Sequence, residues 1–257
     1  MNEPSPLASR GSPLGRPDDP AATAEAVRQM FDQVAPRYDF LNHFLSLGLD
    51  ILWRRIAARE LHDVLARPGS VAADVCCGTG DLALAFARHS AGMVVGTDFS
   101  KPMLVRAQKK SQSRNRRPLF IESDTLKLPF RENSLDAIGA AFGFRNLANY
   151  ADGLREMRRV LKPGGTIVIL EFSRVRWPIF GPLFDLYFQH VLPRIGSWIS
   201  GTEGPYQYLP ASVKRFPDQE ELAAAFRAAE FTNVRYRNFT GGVAALHLGQ
   251  KAAAGGS

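Results

Sequence analysis

The sequence predicts an α/β fold, a mostly parallel seven-stranded sheet with helices on both faces and an antiparallel hairpin at its C-terminal edge. Three observations carry that prediction. From Ser70 onward, short apolar runs alternate with helix-forming runs, which is the order of consecutive β-α units. The first of these strands breaks into Gly78-Thr79-Gly80 just before a helix, and a second strand closes about twenty residues later on Asp98. Near the C-terminus two strand-like runs flank Gly241-Gly242 with no helix between them, as a hairpin requires.

The elements follow in order. Pro4, Pro6, Pro13, Pro17 and Pro20 give residues 1–20 the composition of a disordered tail. Ala21–Met30 reads as a helix with Thr23 as its cap. Phe31–Leu65 is an aromatic and apolar tract containing Tyr38, Phe40, Phe44 and Trp53. Together these make a helical cap, 21–66, on a single domain of residues 21–250, with a second tail at 251–257. The alternating part begins with strand Val71–Cys76, helix Asp81–His89 and strand Met93–Thr97. Helix Lys101–Ser111, strand Pro118–Glu122 and strand Leu135–Phe142 come next. Helix Ala151–Leu161 stops at Lys162-Pro-Gly-Gly165, a helix breaker joined to a glycine pair. Strand Thr166–Phe172 is almost wholly β-branched or apolar, as a strand covered on both faces should be. Arg174–Pro217, rich in aromatics, is too long for a simple connection and reads as a helical insertion on the substrate side of the cleft. Helix Asp218–Ala229 and strands Thr232–Phe239 and Gly242–Leu248 complete the chain.

Composition narrows the function classes. The chain has 257 residues, 45% of them hydrophobic, enough for one substantial core. It has no apolar run of about eighteen residues to span a bilayer and no charged-then-apolar signal at its start. Its two cysteines, Cys76 and Cys77, are adjacent, which suits neither an ordinary disulfide nor a zinc site and points to a reducing, cytoplasmic setting. The net charge of +7 raises nucleic acid or an anionic membrane as partners. The basic run Arg106–Arg117 lacks interleaved aromatics, so no nucleic-acid platform is expected; it reads as a solvated helix face, usable at a membrane surface.

The glycine turn points to a nucleoside ligand. Glycines let backbone approach it closely, and Asp98 can accept both hydroxyls of a ribose. The dinucleotide fingerprint is incomplete, however, because Asp81-Leu-Ala follows the second glycine. An acid at a helix N-terminus does not favour a pyrophosphate. S-adenosylmethionine, a nucleoside carrying a sulfonium and an ammonium and no phosphate, suits it better. A generic nucleotide turn is the alternative.

Four stretches identify a family: Phe31-Asp-Gln-Val-Ala-Pro-Arg-Tyr-Asp39 with Asn42, Ser46-Leu-Gly48 and Trp53; Asp74 to Asp81; Phe142-Gly-Phe-Arg-Asn146; and Tyr206-Gln-Tyr-Leu-Pro-Ala-Ser212 with Arg215-Phe-Pro217. With His247, they resemble the ubiquinone/menaquinone biosynthesis C-methyltransferases, class I S-adenosylmethionine enzymes of Rossmann-like fold, from about Val27 to Gly249. The resemblance implies cofactor contacts at Gly78, Thr79, Gly80, Asp81, Asp98, Asp124 and Thr125. Asp98 would hold the ribose, Asp124 and Thr125 the adenine, and Asp81 the methionine end. No metal is implied. Two departures stand out: Ala141 replaces a serine frequent in bacterial relatives, and Cys76 and Cys77 replace the usual small residues of the turn.

The implied reaction sets the remaining roles. Methyl transfer from a sulfonium is an in-line displacement, so the nucleophilic carbon, methyl and sulfur must be held on one line. A ring carbon is nucleophilic only beside an ionised hydroxyl, which makes the quinol the substrate and demands a proton acceptor. Arg145 and Asn146 carry over as the residues beside the ring. A guanidinium stays protonated, so Arg145 orients a water or stabilises the phenolate, and Asn146 holds the same water or the ring oxygen. Pairing of Arg145 with an acid is the structural alternative. Tyr187, His190 and Tyr208 are weaker proton-transfer candidates, while His43, His62 and His89 read as packing or surface residues. The expected reaction is methylation of a polyprenylated quinol, demethylmenaquinol to menaquinol. A methoxy-benzoquinol of ubiquinone synthesis or a non-catalytic subunit of a quinone-synthesis assembly are the alternatives. Arg174–Trp198 would make peripheral contact with a membrane, or else roof the pocket, and a homodimer is compatible with the sequence.

Overall fold

The structure, a computed structural model, describes residues 10–14, 19–34, 46, 48–175 and 204–253. Tyr38, Phe40, His43, Phe44 and the aromatic stretch from Trp177 to Trp198, with Tyr187 and His190, lie outside the described residues. The elements are α1 (Pro20–Val34), α2 (Leu49–Glu60), α3 (His62–Leu65), β1 (Val71–Val75), α4 (Asp81–His89), β2 (Met93–Asp98) and α5 (Lys101–Ser111). They continue with β3 (Leu119–Glu122), β4 (Leu135–Ala141), a 3-10 turn (Phe144–Asn146), α6 (Tyr150–Val160) and β5 (Leu161–Phe172). After the undescribed stretch come α7 (Gly204–Arg215), α8 (Gln219–Ala228), β6 (Phe231–Phe239) and β7 (Ala244–Lys251).

Seven strands form one sheet in the order β3-β2-β1-β4-β5-β7-β6. The first five are parallel; β7 pairs antiparallel with both β5 and β6. The strand order reverses between β1 and β4, and in open α/β sheets the crevice at that reversal is where ligands bind. Two apolar cores lie on the sheet. One gathers Phe144, Tyr150, Leu154, Met157, Phe226 and Phe231 from α6, α8 and their neighbours; the other gathers Trp53, Leu61, Leu82 and Phe86 from α2, α3 and α4. Trp53 stacks on Phe239 with centroids 6.1 Å apart, which anchors α2 to the hairpin strand.

Helix starts follow side-chain chemistry. Ser100 caps α5, with Pro102 in its first turn; Asn149 accepts from the Asp152 N–H at 3.1 Å to cap α6. At α8, Asp218 and Glu221 complete a reciprocal capping box. Boundaries shift by a few residues at several elements, and three differences have a clear physical cause. The cap of α1 is Asp19, whose Oδ1 accepts from the Ala22 N–H at 2.9 Å, whereas Thr23 lies inside the helix and bonds back to the Asp19 carbonyl. β5 begins at Leu161, which pairs with Leu135, because Lys162 bonds the Asp136 carboxylate and keeps the Pro-Gly-Gly segment extended. Part of the expected N-terminal tail is docked: the Ser12 N–H donates to the Leu147 carbonyl at 2.8 Å, and the Tyr150 N–H donates to that of Arg10 at 3.1 Å. Gly11 is buried against the Ala148 carbonyl.

Candidate active site

The turn after β1 is wound tightly. Cys76, Gly78 and Gly80 have φ of 51°, 54° and 84°. At Gly80 a Cβ would lie 2.9 Å from the Phe120 ring, so glycine is needed both for its conformation and for its space. The Cys77 N–H donates to the Thr97 carbonyl at 2.9 Å, which ties the turn to β2. Asp98 closes β2 with one backbone donor on each carboxyl oxygen: Gly78 N–H on Oδ2 at 2.8 Å and Ser100 N–H on Oδ1 at 2.9 Å. Burial nevertheless pushes its pKa up to about 6; the two backbone bonds oppose that rise and the nearby Asp32 adds to it. Asp32 reaches in from α1 and accepts from the Ser100 hydroxyl at 2.5 Å. A second tie, Arg28 to Glu122 at 2.6 Å, fixes α1 to the end of β3.

Beneath the turn, Asp74 Oδ2 accepts from the Ala83 N–H at 2.7 Å. Its other oxygen, Oδ1, is buried with no hydrogen-bond partner among the described residues. Burial drives the Asp74 pKa well above the usual carboxylate range. Thr79 and Asp81 share one cation: Lys110 donates to Thr79 Oγ1 at 3.0 Å and to Asp81 Oδ1 at 2.8 Å. After β3, the exposed Asp124 caps its own turn by accepting from the Leu126 N–H at 2.9 Å. The Thr125 hydroxyl lies 3.2 Å from Cys76 Sγ. Burial raises both cysteine thiols, so neither is an activated nucleophile.

The end of β4 stands across the same crevice. Phe142 has φ of 60°, and a Cβ on Gly143 would sit 2.5 Å from Cys76 Cβ, so the two turns are in direct backbone contact. Arg145 is buried. Its Nη1 donates to Glu171 Oε1 at 2.8 Å and to the Phe142 carbonyl, and Nε donates to Ser212 Oγ at 3.3 Å. Glu171 Oε2 accepts from the backbone of Arg145 at 3.2 Å, so acid and base are locked twice. Beside them the Tyr208 hydroxyl donates to Asn146 Oδ1 at 2.9 Å and lies 2.9 Å from Ser12 Oγ. Asn146, Tyr208 and Ser12 thus form a polar chain beside the Arg145–Glu171 pair.

A family model covers residues 20–251: the ubiE/COQ5 methyltransferase family. The chain belongs to that family. Among its relatives, a protein of Deinococcus radiodurans named demethylmenaquinone methyltransferase is 47% identical over 240 residues, 93% of this chain and 97% of that one. A Thermus thermophilus protein of the same name is 47% identical over 86% of this chain and all of its own length. Solved structures extend the likeness at the level of fold. The [4+2]-cyclase SpnF aligns with a TM-score of 0.66 at 19% identity, over 95% of this chain and 99% of that one. A Thermotoga maritima S-adenosylmethionine-dependent methyltransferase, described as a possible histamine N-methyltransferase, aligns at 0.62 and 17%, over 87% and 99%. The mostly parallel sheet with its antiparallel C-terminal strands is therefore the class I methyltransferase fold that the sequence predicts.

Within this family fold, the residues expected at the site fall into two groups. Gly78, Thr79, Gly80 and Asp98 meet around one turn, and Arg145 and Asn146 stand opposite them, joined through the Gly143–Cys76 contact. Asp81 turns toward Lys110, and Asp124 bonds its own loop. Polar residues that went unread in the sequence include Asp32, Asp74, Ser100, Lys110 and Glu171. Glu171 had a legible signal, a lone carboxylate in a strand apolar on both faces. Lys110 had none, because it sits in a run of basic residues.

Proposed function

We infer that this chain transfers a methyl group from S-adenosylmethionine to a ring carbon of a polyprenylated quinol, converting demethylmenaquinol to menaquinol. What carries the inference is the 47% identity, over nearly the whole of both chains, to relatives bearing that activity in their name. The residues at the turn fit the cofactor. Asp98, gathered by two backbone donors at the end of β2, has the position and acceptor capacity for a ribose diol. Asp74 Oδ1, a buried acceptor with no described partner below the turn, suits an ammonium or a bridging water. Thr79, Gly78 and Gly80 would border the nucleoside, with Asp124 and Thr125 at the adenine and Asp81, shared with Lys110, at the methionine end.

When bound, S-adenosylmethionine supplies an electrophilic methyl on a sulfonium. The protein's part is to exclude water, orient the ring and accept a proton from the quinol hydroxyl. Asn146 and Tyr208 provide a hydrogen-bonded amide–phenol pair that can hold a ring oxygen or a water. Arg145 lies one residue away, its charge balanced by Glu171, so that what it offers a developing phenolate is the oriented dipole of that ion pair. A polyprenyl chain is insoluble in water, so the enzyme meets its substrate at a membrane surface, on the cytoplasmic side. No described helix is long and apolar enough to cross a membrane.

The test is direct. Purified protein is incubated with S-adenosylmethionine and either demethylmenaquinol or a 2-polyprenyl-6-methoxy-benzoquinol, and the products are weighed by mass spectrometry. Methylation of the naphthoquinol, with none of its oxidised quinone, is the expected result. Preference for the benzoquinol would place the enzyme in ubiquinone synthesis. Tight cofactor binding with turnover on neither would leave a non-catalytic subunit.

A further inference from the structure

A groove that borders the candidate active site, sharing Asp81 and Lys110 with it, runs between α2 and the C-terminal end of α5, with the outer face of α4 as its floor. Its volume is about 230 Å³, and Ile51, Leu84 and Ala85 give it an apolar lining. Five cations border it, Arg54, Arg55, Arg88, Lys110 and Arg114, against one acid, Asp81. Two of the five have acidic partners: Arg54 pairs with Asp50, and Lys110 with Asp81. The other three, Arg55, Arg88 and Arg114, are exposed and form no ion pair with a described residue. Three guanidiniums converging on one groove repel one another, and an anion relieves that repulsion. At the rim, in the first turn of α2, Ile51 and Leu52 are 38% and 49% exposed. Arg55 and Arg59 follow three to eight residues on, so this helix presents apolar and cationic side chains together.

We propose that this groove docks the phosphate headgroups of anionic phospholipids and seats the chain on a membrane surface. A guanidinium is a planar fork matched to phosphate oxygens, which suits Arg55, Arg88 and Arg114 to a headgroup. Ile51 and Leu52 enter the boundary between headgroups and acyl chains, where an apolar body is buried and a charged end stays wet. An acidic polypeptide matches the charges but leaves the two apolar side chains in water; a lipid surface satisfies both. The groove adjoins the candidate active site, since α4 starts at Asp81 directly after the glycine turn. A membrane lying on it would hold the cofactor turn beside the phase in which a polyprenylated quinol dissolves. The proposal deepens the lipid-quinol function and rests on it.

The experiment sediments the full chain with phosphatidylcholine vesicles, with and without phosphatidylglycerol, at low salt. Wild type should sediment only with phosphatidylglycerol present, and added salt should release it. The triple variant Arg55→Gln/Arg88→Gln/Arg114→Gln should bind about tenfold or more weakly, and Ile51→Ser/Leu52→Ser should also weaken binding. Both should keep wild-type turnover on a detergent-dispersed quinol without vesicles, which separates docking from catalysis: a wild-type chain that binds anionic vesicles but turns over no quinol counts against the enzyme reading alone. Wild-type vesicle binding by the triple variant overturns the proposal. So does equal binding to neutral vesicles, or binding of soluble glycerol phosphate or polyglutamate as tight as that to vesicles. Should the triple variant fail to fold by circular dichroism, the Ile51/Leu52 variant decides, and unchanged vesicle binding by it overturns the proposal.

Discussion

Arg145 and Glu171 form an ion pair between the turn after β4 and the end of β5, Nη1 standing 2.8 Å from Oε1 with side chains only 6% and 1% exposed. The pair sits one residue from Asn146, so a change in it reaches both the core and the candidate ring site. Desolvation offsets much of the attraction in such a pair, yet breaking it by removing one partner leaves a buried charge alone.

Glu171→Leu should therefore cost about 3–5 kcal/mol in urea unfolding, and Arg145→Met a similar amount, while the double variant should lose clearly less than either single. That double variant is also the way to ask what Arg145 does in the reaction. With the fold and cofactor affinity retained, kcat should fall about a hundredfold, on the order of 3 kcal/mol, if the guanidinium stabilises the developing phenolate. Unchanged kcat in a folded double variant would confine the pair to a structural role.

Asp98 gives a pH signature. Its pKa of about 6 without cofactor lies well above the aspartate norm of ~3.9 because burial disfavours the charge. A ribose diol donates more strongly, and to both oxygens, when Asp98 is a carboxylate than when it is the neutral acid. Affinity for S-adenosylmethionine should then be full above about pH 7 and fall about tenfold per unit below pH 6. Calorimetry across that range checks it. Asp98→Asn should bind weakly and with a flat profile, and a sloping profile in that variant would assign the titration to another group.

Much of the fold was legible because its signals are local. Strand and helix alternation, the Gly78-Thr79-Gly80 break and the Gly241-Gly242 hairpin each depend on a few neighbouring residues. The placement of β7 between β5 and β6 was not, since nothing in a strand's own sequence states which neighbour it pairs with. The site divides in the same way. Asp98 was visible as a strand-ending acid, whereas the Asp32–Ser100 contact joins positions 68 apart and appears only when α1 folds over β2. The N-terminal stretch misled for a related reason: its prolines and small residues signal no packed core, yet Gly11 and Ser12 dock by backbone hydrogen bonds, which composition does not record.

Lys110 bridges Thr79 and Asp81 at the head of α4. Its ammonium offsets an acid beside the glycine turn and holds the Thr79 hydroxyl in place. Lys110→Met should weaken cofactor binding by up to about tenfold, since each side chain in this pair is only partly buried and screened by water. Asp81→Asn should do the same, and the double variant no more than either alone. Additive losses in titration calorimetry would mean that the two residues act on the cofactor separately.

His247 sets a limit on acid stability. Its Nε2 lies 2.9 Å from the Gln219 carbonyl, which can only accept, so that nitrogen carries the proton and Nδ1 is the free basic site. Nδ1 is buried without a hydrogen-bond partner among the described residues, against Phe226 and Tyr236. Burial lowers the pKa to about 4, whereas an unfolded histidine titrates near ~6.5. The unfolded chain therefore takes up the proton first. The stabilisation from a neutral His247 is whole above about pH 6.5 and is lost as the pH falls toward 4, on the order of 3 kcal/mol in all. Asp98 acts in the opposite sense over nearly the same window, because its raised pKa favours the folded state in acid, so the histidine must be isolated by difference. His247→Leu forfeits the bond to Gln219 and should be about 1 kcal/mol less stable than wild type at pH 8. Having no proton to bind, it should overtake wild type below about pH 5. Urea titrations of both proteins from pH 8 to 4 supply the two curves, and parallel curves that never cross would show that His247 is not the group that yields to acid.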